Sequence, residues 1–398
     1  MLNTQLGDVD ATLLDLDDIP LELTAGSETV LLDFDGARGA LLGVQAEMEL
    51  VVQDNVALSG QWFLNKESYQ LPTQAGESVE TELLVLGASN LSGVAGVGVD
   101  TEDPLGFSVS DVNFALVVAT STQAEDVRSW TMMQAHVGNA QWLGGEAYGF
   151  TAELSDFSLL LNTVSSQDDL EVADLNESPL EVETQWATWV FDFDGDLGIQ
   201  FLIQSHAVLE IQALIRVEGN ILVQSRTETF TLSDQSTVQT STLTLAATGV
   251  QAFAGVWDAS TGEGISGLAL NQLDLGLLVV RESSPDAPRT CTALQASAES
   301  VQVVGIGGDG FDLGIDDVAV RVNTEATDQT VLDLSVSPRV VELSGQTLTL
   351  ELDGVEGAQT RVTGVVSLEI GGFVSLQGTA FLETFTYELA LSNGESVG

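Results

Sequence analysis

STLTLAATGVQAFAGV (residues 241–256) alternates Thr242, Leu243, Thr244 and Leu245 and keeps a two-residue alternation of apolar and polar side chains. Period two belongs to a strand, whose successive side chains point to opposite faces of a sheet. AEMELVVQDNVALSGQWFL (46–64) and VSLEIGGFVSLQGTAFLE (366–383) alternate in the same way. Glycines and Asn/Asp/Ser clusters interrupt these runs and predict strands of about five to nine residues. No stretch joins a 3.6-residue apolar stripe to capping residues, so the chain is expected to be all-β with almost no helix.

The runs recur at a fixed interval. IPLEL, SPLEV and SPRVV place Pro20, Pro179 and Pro338 at equal steps of 159 in the numbering. The same step superposes Thr29, Thr188 and Thr347; Asp35, Asp194 and Asp353; Gly36, Gly195 and Gly354; and Gly39, Gly198 and Gly357. It also superposes Gly60, Gly219 and Gly378, then Val79, Val238 and Val397. A shorter echo lies inside each unit: LGFSVSDVNFALVVA (105–119) resembles YGFTAELSDFSLLLN (148–162), and SGLALNQLDLGLLVV (266–280) resembles DGFDLGIDDVAVRVN (309–323). Between units this half is displaced by 161, so it carries a two-residue insertion of the kind surface loops absorb. The chain therefore divides into residues 1–19, the end of a preceding repeat; 20–178, the first unit; 179–337, the second; and 338–398, the start of a third. Fixed-period self-similarity is the signature of a repeat array, of which this chain reads as a segment.

Two all-β arrangements fit. SVSDVNFALVV carries a two-residue polar corner between apolar stretches, as at the corner of a solenoid coil. A β-solenoid-like array of parallel coils is thus the first expectation. A unit running from 20 to 178 has the length of a domain, which makes a row of antiparallel β-sandwiches the alternative. A transmembrane barrel fits poorly, because three Tyr and six Trp do not furnish its aromatic girdles.

Composition narrows the setting. Sixty acidic residues face ten basic ones, only one of them a lysine (Lys66), for a formal net charge of −50. Self-repulsion on that scale needs salt or bound cations. A salty cytoplasm or a cation-rich extracellular medium would supply them, and the second is favoured. Singly scattered basic residues exclude nucleic acid and anionic membranes as partners. No apolar run approaches the length of a transmembrane helix, and MLNTQLGDVDATLLDLDD lacks the basic and apolar regions of a signal peptide. Cys291 is the only cysteine and reads as a buried thiol.

The strongest local motif is Asp-Phe-Asp-Gly at 33–36 and 192–195, with Glu-Leu-Asp-Gly at 351–354. Carboxylates two apart before a turning glycine could aim oxygens at one hard cation. Asp33 and Asp35, Asp192, Asp194 and Asp196, and Glu351 and Asp353 are therefore candidate calcium ligands. The same acids could equally face solvent where a polar strand end meets a turn. GGDGFDLGIDD (307–317) occurs once and reads as a turn. His136 and His206 lie in different units without partners in sequence, and no His/Cys cluster, phosphate loop or nucleophile elbow is present, so no enzymatic activity is expected. Trp62, Trp130, Trp142, Trp186, Trp189 and Trp257 do not recur between units and are assigned to packing rather than to a sugar-stacking strip.

DVNFALVV, ASNLSGVAGVG and SLEIGGFVSLQGTAFL recur in variant form in an acidic, nearly lysine-free chain. In this the whole chain resembles the very large bacterial secreted and cell-surface tandem-repeat proteins of adhesin-like type. The resemblance implies an extracellular fibre, stalk or sheath on or between cells, self-assembled from neighbouring repeats and often containing calcium. The alternative is an adhesin that grips a cell-surface glycan or partner through the irregular loops at 99–105, 119–129 and 281–291.

Overall fold

Alternating Val, Leu and Thr suit a pleated surface that is apolar on one side, and in the computed structural model they build strands almost everywhere. The structure describes residues 2–3, 16, 19–25, 28–32, 41–52, 56–97, 105–144, 150–165, 171–183, 187–211, 214–257, 264–283, 288–305, 311–385, 389–390 and 396–397. In chain order the strands are β1 (Leu2–Asn3), the hairpin β2 (Leu21–Ala25) and β3 (Glu28–Leu32), then β4 (Leu41–Val52), β5 (Val56–Pro72), β6 (Ser78–Val97), β7 (Leu105–Ser121), β8 (Ser129–Leu143) and β9 (Phe150–Val164). The pattern restarts with the hairpin β10 (Leu180–Glu183) and β11 (Thr188–Phe191), followed by β12 (Gln200–Ile211), β13 (Ile215–Thr231), β14 (Thr237–Trp257), β15 (Gly264–Glu282), β16 (Thr290–Val304) and β17 (Phe311–Thr324). A third start gives the hairpin β18 (Arg339–Leu343) and β19 (Gln346–Leu350), then β20 (Gln359–Ile370), β21 (Val374–Phe385), β22 (Leu389–Ala390) and β23 (Ser396–Val397). The described residues contain no α-helix.

The strand boundaries keep the sequence intervals. β4, β12 and β20 are displaced by 159 at both ends, as are β5 and β13, while β8 and β16 are displaced by 161. Pairing keeps them too: Leu71↔Val79, Phe230↔Val238 and Leu389↔Val397 occupy one register position in three successive copies. One repeat is thus a hairpin followed by six long strands.

The chain forms two compact units, Met1–Asn139 with Ser158–Phe201, and Ala140–Phe157 with Leu202–Gly398. The strand order is β1-β4-β5-β6-β7-β8-β9, then β12 to β17, β20 and β21, and residues 140–143 of β8 and 150–157 of β9 count with the second unit. The resulting large sheet is antiparallel, and every assigned ladder among the described residues runs that way. This differs from the parallel coil stacking of a solenoid. A strand that returns through a short turn must pair antiparallel with the one it left, whereas parallel pairing needs a crossover.

Strand length departs from expectation for a related reason. β14 is 21 residues long and β6 is 20, well beyond the five to nine predicted. The polar corners do not end strands. At them Asn90, Asp111, Asp156 and Asp317 adopt φ between 51° and 56° and Gly249 takes φ 62°, and the ladders shift register as at a β-bulge beside Asn90, Asp111, Gly249 and Asp317. Asn and Asp tolerate this left-handed region, so an extra residue is absorbed and the ladder resumes beyond it. The register shifts between Ala88 and Leu91 and between Ala247 and Val250 mark the same event in two units.

Each unit has its own core on one face of its sheet. In the first, Phe63, Leu83, Val117 and Trp130 of the sheet meet Leu180 and Phe191 of the hairpin β10–β11. In the second, Leu222, Leu278 and Ala293 meet Val341, Leu343 and Leu350 of β18–β19. The hairpin that opens one sequence repeat therefore closes the core of the six strands before it.

Candidate functional site

The acidic corner follows directly from the hairpin. Phe191 and Phe193 point into the core with ring centroids 6.1 Å apart, so the alternation turns Asp192 outward to solvent and leaves Asp194 half-buried at the strand end. Asp194 caps a single 3-10 turn, Gly195–Leu197, its Oδ1 accepting the Asp196 amide at 3.0 Å. Gly198, at φ 63°, ends the turn. The third copy repeats the geometry: Leu350 and Leu352 are buried, Glu351 is exposed, and Asp353 Oδ1 accepts the Val355 amide at 2.8 Å before the turn Gly354–Glu356. Side-chain capping of this kind satisfies amides that a short helix leaves without partners.

A further acid completes the corner, and the motif itself does not contain it. Asp174 Oδ1 accepts the Gly195 amide at 3.1 Å, and Asp333 Oδ1 accepts the Gly354 amide at 3.4 Å. The glycines are needed because a Cβ at Gly195 would stand 2.6 Å from Cβ of Asp174, and one at Gly354 would stand 2.7 Å from Cβ of Asp333. Burial pushes the Asp333 carboxyl up, but hydrogen bonds from the Ser335 hydroxyl and from the Ser335 and Gly354 amides outweigh it and hold the group below its ordinary value. A sequence signal for this acid exists, since Asp15, Asp174 and Asp333 are themselves 159 apart.

Among the proposed calcium ligands, Asp192 with Asp194 and Glu351 with Asp353 each share one side of a strand end, while Asp196 sits exposed in the 3-10 turn. Asp33 and Asp35 lie outside the described residues. One carboxylate of each described pair already serves as a turn cap, and calcium seeks six to eight oxygens. Among the described residues no three His, Cys, Asp or Glu side chains are grouped to hold a metal ion.

Two other features recur across units and tie the hairpin segment to the sheet. Asn162 donates Nδ2 to the Ala173 carbonyl at 2.8 Å, and its counterpart Asn323 donates to the Leu332 carbonyl at 2.8 Å. Arg128 and Arg289, 161 apart like the two asparagines, each gather carboxylates at a sheet end. Arg128 reaches Asp126 at 3.0 Å and Glu171 at 3.3 Å, and Arg289 reaches Glu282 at 3.0 Å and Asp234 and Asp328 at 3.6 Å. Hydrogen bonding to Arg128 holds the Asp126 carboxyl below the usual range against a smaller opposing effect of burial, and Arg289 does the same for Glu282. Parts of the loops proposed for recognition, 119–129 and 281–291, thus carry ion pairs that brace the scaffold. Residues 99–104 and 284–287 include the undescribed parts of these loops, and only Leu105 of the first loop is described.

Trp130 is fully buried and donates Nε1 to the Glu171 carbonyl at 2.8 Å. Its counterpart is Cys291, a buried free thiol 3.7 Å from the Thr330 carbonyl, with its pKa pushed up by burial. Trp62 is also buried and Trp189 packs against the first core, while the side chains of Trp186 and Trp257 lie outside the described set. His136 is an exposed strand residue, and His206 lies 3.3 Å from Asn220 and 3.7 Å from Glu218. No helix among the described residues is long and apolar enough to cross a membrane.

No protein-family model, curated protein or solved structure matches the chain. Function is therefore to be read from the repeat itself. What the recurring side chains do chemically is hold a hairpin onto a sheet, with one acid under the corner, one asparagine behind it and one arginine cluster at the sheet end.

Proposed function

We propose that the chain is a structural repeat segment of an extracellular bacterial fibre, stalk or sheath, whose length scales with repeat number and whose assembly depends on cations. The observation that carries this reading is the closure of each six-strand core by the hairpin of the following repeat, seen at β10–β11 and again at β18–β19. Burial shared in this way makes neighbouring repeats interdependent, which is the energetic basis of an array. The net charge of −50 keeps such an array solvated and resists lateral collapse until cations, calcium among them, screen or bridge the carboxylates. Electron microscopy of the native material with and without a chelator tests the proposal. Fibres that shorten, loosen or disperse on chelation are expected. Globular particles indifferent to calcium contradict it.

A further inference from the structure

The two hairpin joints occupy the same repeat positions but are built from different chemistry. In the first, β10 opens with Leu180, which is 4% exposed in an apolar core against which Tyr69 of β5 packs. In the second, β18 opens with Arg339 at the same position, and its side chain is only 10% exposed. Arg339 Nη1 lies 2.8 Å from Glu228 Oε1 of β13, and Nη2 donates to Gln224 Oε1 at 3.0 Å. Arg226 pairs with the same Glu228 oxygen. One repeat earlier the positions of Glu228 and Arg226 hold Tyr69 and Glu67, so both sides of the joint differ together between the two units.

An ionic joint is a costly way to close a core. The side chains of Arg226, Glu228 and Arg339 are each at most 17% exposed, and two guanidiniums share one carboxylate. Among the described residues, Nε of both arginines and Oε2 of Glu228 find no hydrogen-bond partner. Burial pushes the Glu228 carboxyl up, against the opposing pull of Arg226. Charges taken out of water in this way add little net stability over apolar packing, and Leu180 shows that apolar packing is available at this position of the fold. What they add is discrimination, because a partner without the matching group leaves buried polar atoms unmatched. Repeats of similar sequence have a use for it, since misassembly between neighbours is their characteristic failure. We infer that Gln224, Arg226 and Glu228 make the second sheet face selective, so that it takes a hairpin opening with arginine, as β18–β19 does, over one opening with leucine, as β10–β11 does. With leucine in place of Arg339, Gln224 Oε1 and Glu228 Oε1 each lose a donor while the hairpin still covers them. The selectivity belongs to the joint and holds whether or not the array forms a fibre.

Thiol labelling of Cys291 in the full chain, with reagent dilute enough for reclosing to outpace labelling, reads the opening of the second core and tests the selection. Arg339→Leu gives β18 the residue that opens β10. It should raise the labelling rate about tenfold or more, as the loss of buried charge-assisted hydrogen bonds implies. A triple variant, Arg226→Met with Glu228→Met and Arg339→Leu, removes the charges beneath the leucine and should label at close to the wild-type rate. If Arg339→Leu labels as slowly as wild type, leucine is accepted over the charges and the selection is overturned. If the triple variant labels as fast as Arg339→Leu, the defect lies in the fit of leucine rather than in unmatched charges, which overturns it as well.

Discussion

Asn162 and Ala173 are both fully buried, and Asn162 Nδ2 donates to the Ala173 carbonyl at 2.8 Å. The bond joins the last strand of the first sheet to the segment leading into β10, next to the bridge Thr73↔Ala173. Asn162→Leu would leave that carbonyl buried without its donor, at a cost of about 1–3 kcal/mol. The expected result is a lower urea midpoint for the first unit. Asn323→Leu should do the same to the second unit through Leu332.

Gly195 and Gly354 are held against aspartates rather than in unusual backbone. Alanine at either position drives its Cβ into Asp174 or Asp333, at a cost of about 1–3 kcal/mol. Asp174→Gly should recover part of the loss in Gly195→Ala, because it removes the clash along with the hydrogen bond. Thermal melts of the single and double variants check this. Simple additivity would deny the contact.

The Arg128 cluster gives a pH signature. Arg128 holds Asp126 below its unfolded value of about 3.9. Stability from a depressed carboxylate is complete above the unfolded pKa and is lost as pH falls through the folded one. The gap between wild type and Arg128→Met should therefore be steady from neutral pH to about pH 5 and narrow below about pH 4. At neutral pH it should be about 1–2 kcal/mol. Comparing variants largely cancels the relief of general self-repulsion that acid also brings.

Cys291 is buried with a raised pKa, so its thiolate is scarce in the folded state. A thiol reagent should label it only as the second unit opens, at a rate that rises with denaturant. Prompt labelling of the native chain would show the site to be open.

Much of this architecture is legible in the sequence. Pro20, Pro179 and Pro338 set the interval that β4, β12 and β20, and likewise β5 and β13, keep to the residue, and the two-residue alternation of 241–256 identifies β14. The readings that differ do so for physical reasons. Asp111 and Asp317 look like corners because Asp favours turns, yet a bulge uses the same left-handed conformation without ending the ladder. Parallel or antiparallel pairing is decided by how the chain returns, and a period-two pattern is the same in both. Asp174, Asn162 and Arg128 each recur one repeat later as Asp333, Asn323 and Arg289, but their roles require knowing that the hairpin folds back on the preceding strands. The acidic corner drew attention through its composition, while the partner that explains its glycine lies 21 residues earlier.

The hairpin that opens one repeat closes the core of the strands before it, and everything proposed for the array depends on that closure. Hydrogen exchange on the full chain carrying Val182→Glu tests it most directly, since Val182 is buried in β10 within the first core. The prediction is that amides of β5, β6 and β7 lose protection although they lie about 60 or more residues away in sequence, while β14, β15 and β16 keep theirs. Loss confined to residues 180–191, with β5 to β7 as protected as in wild type, would contradict it.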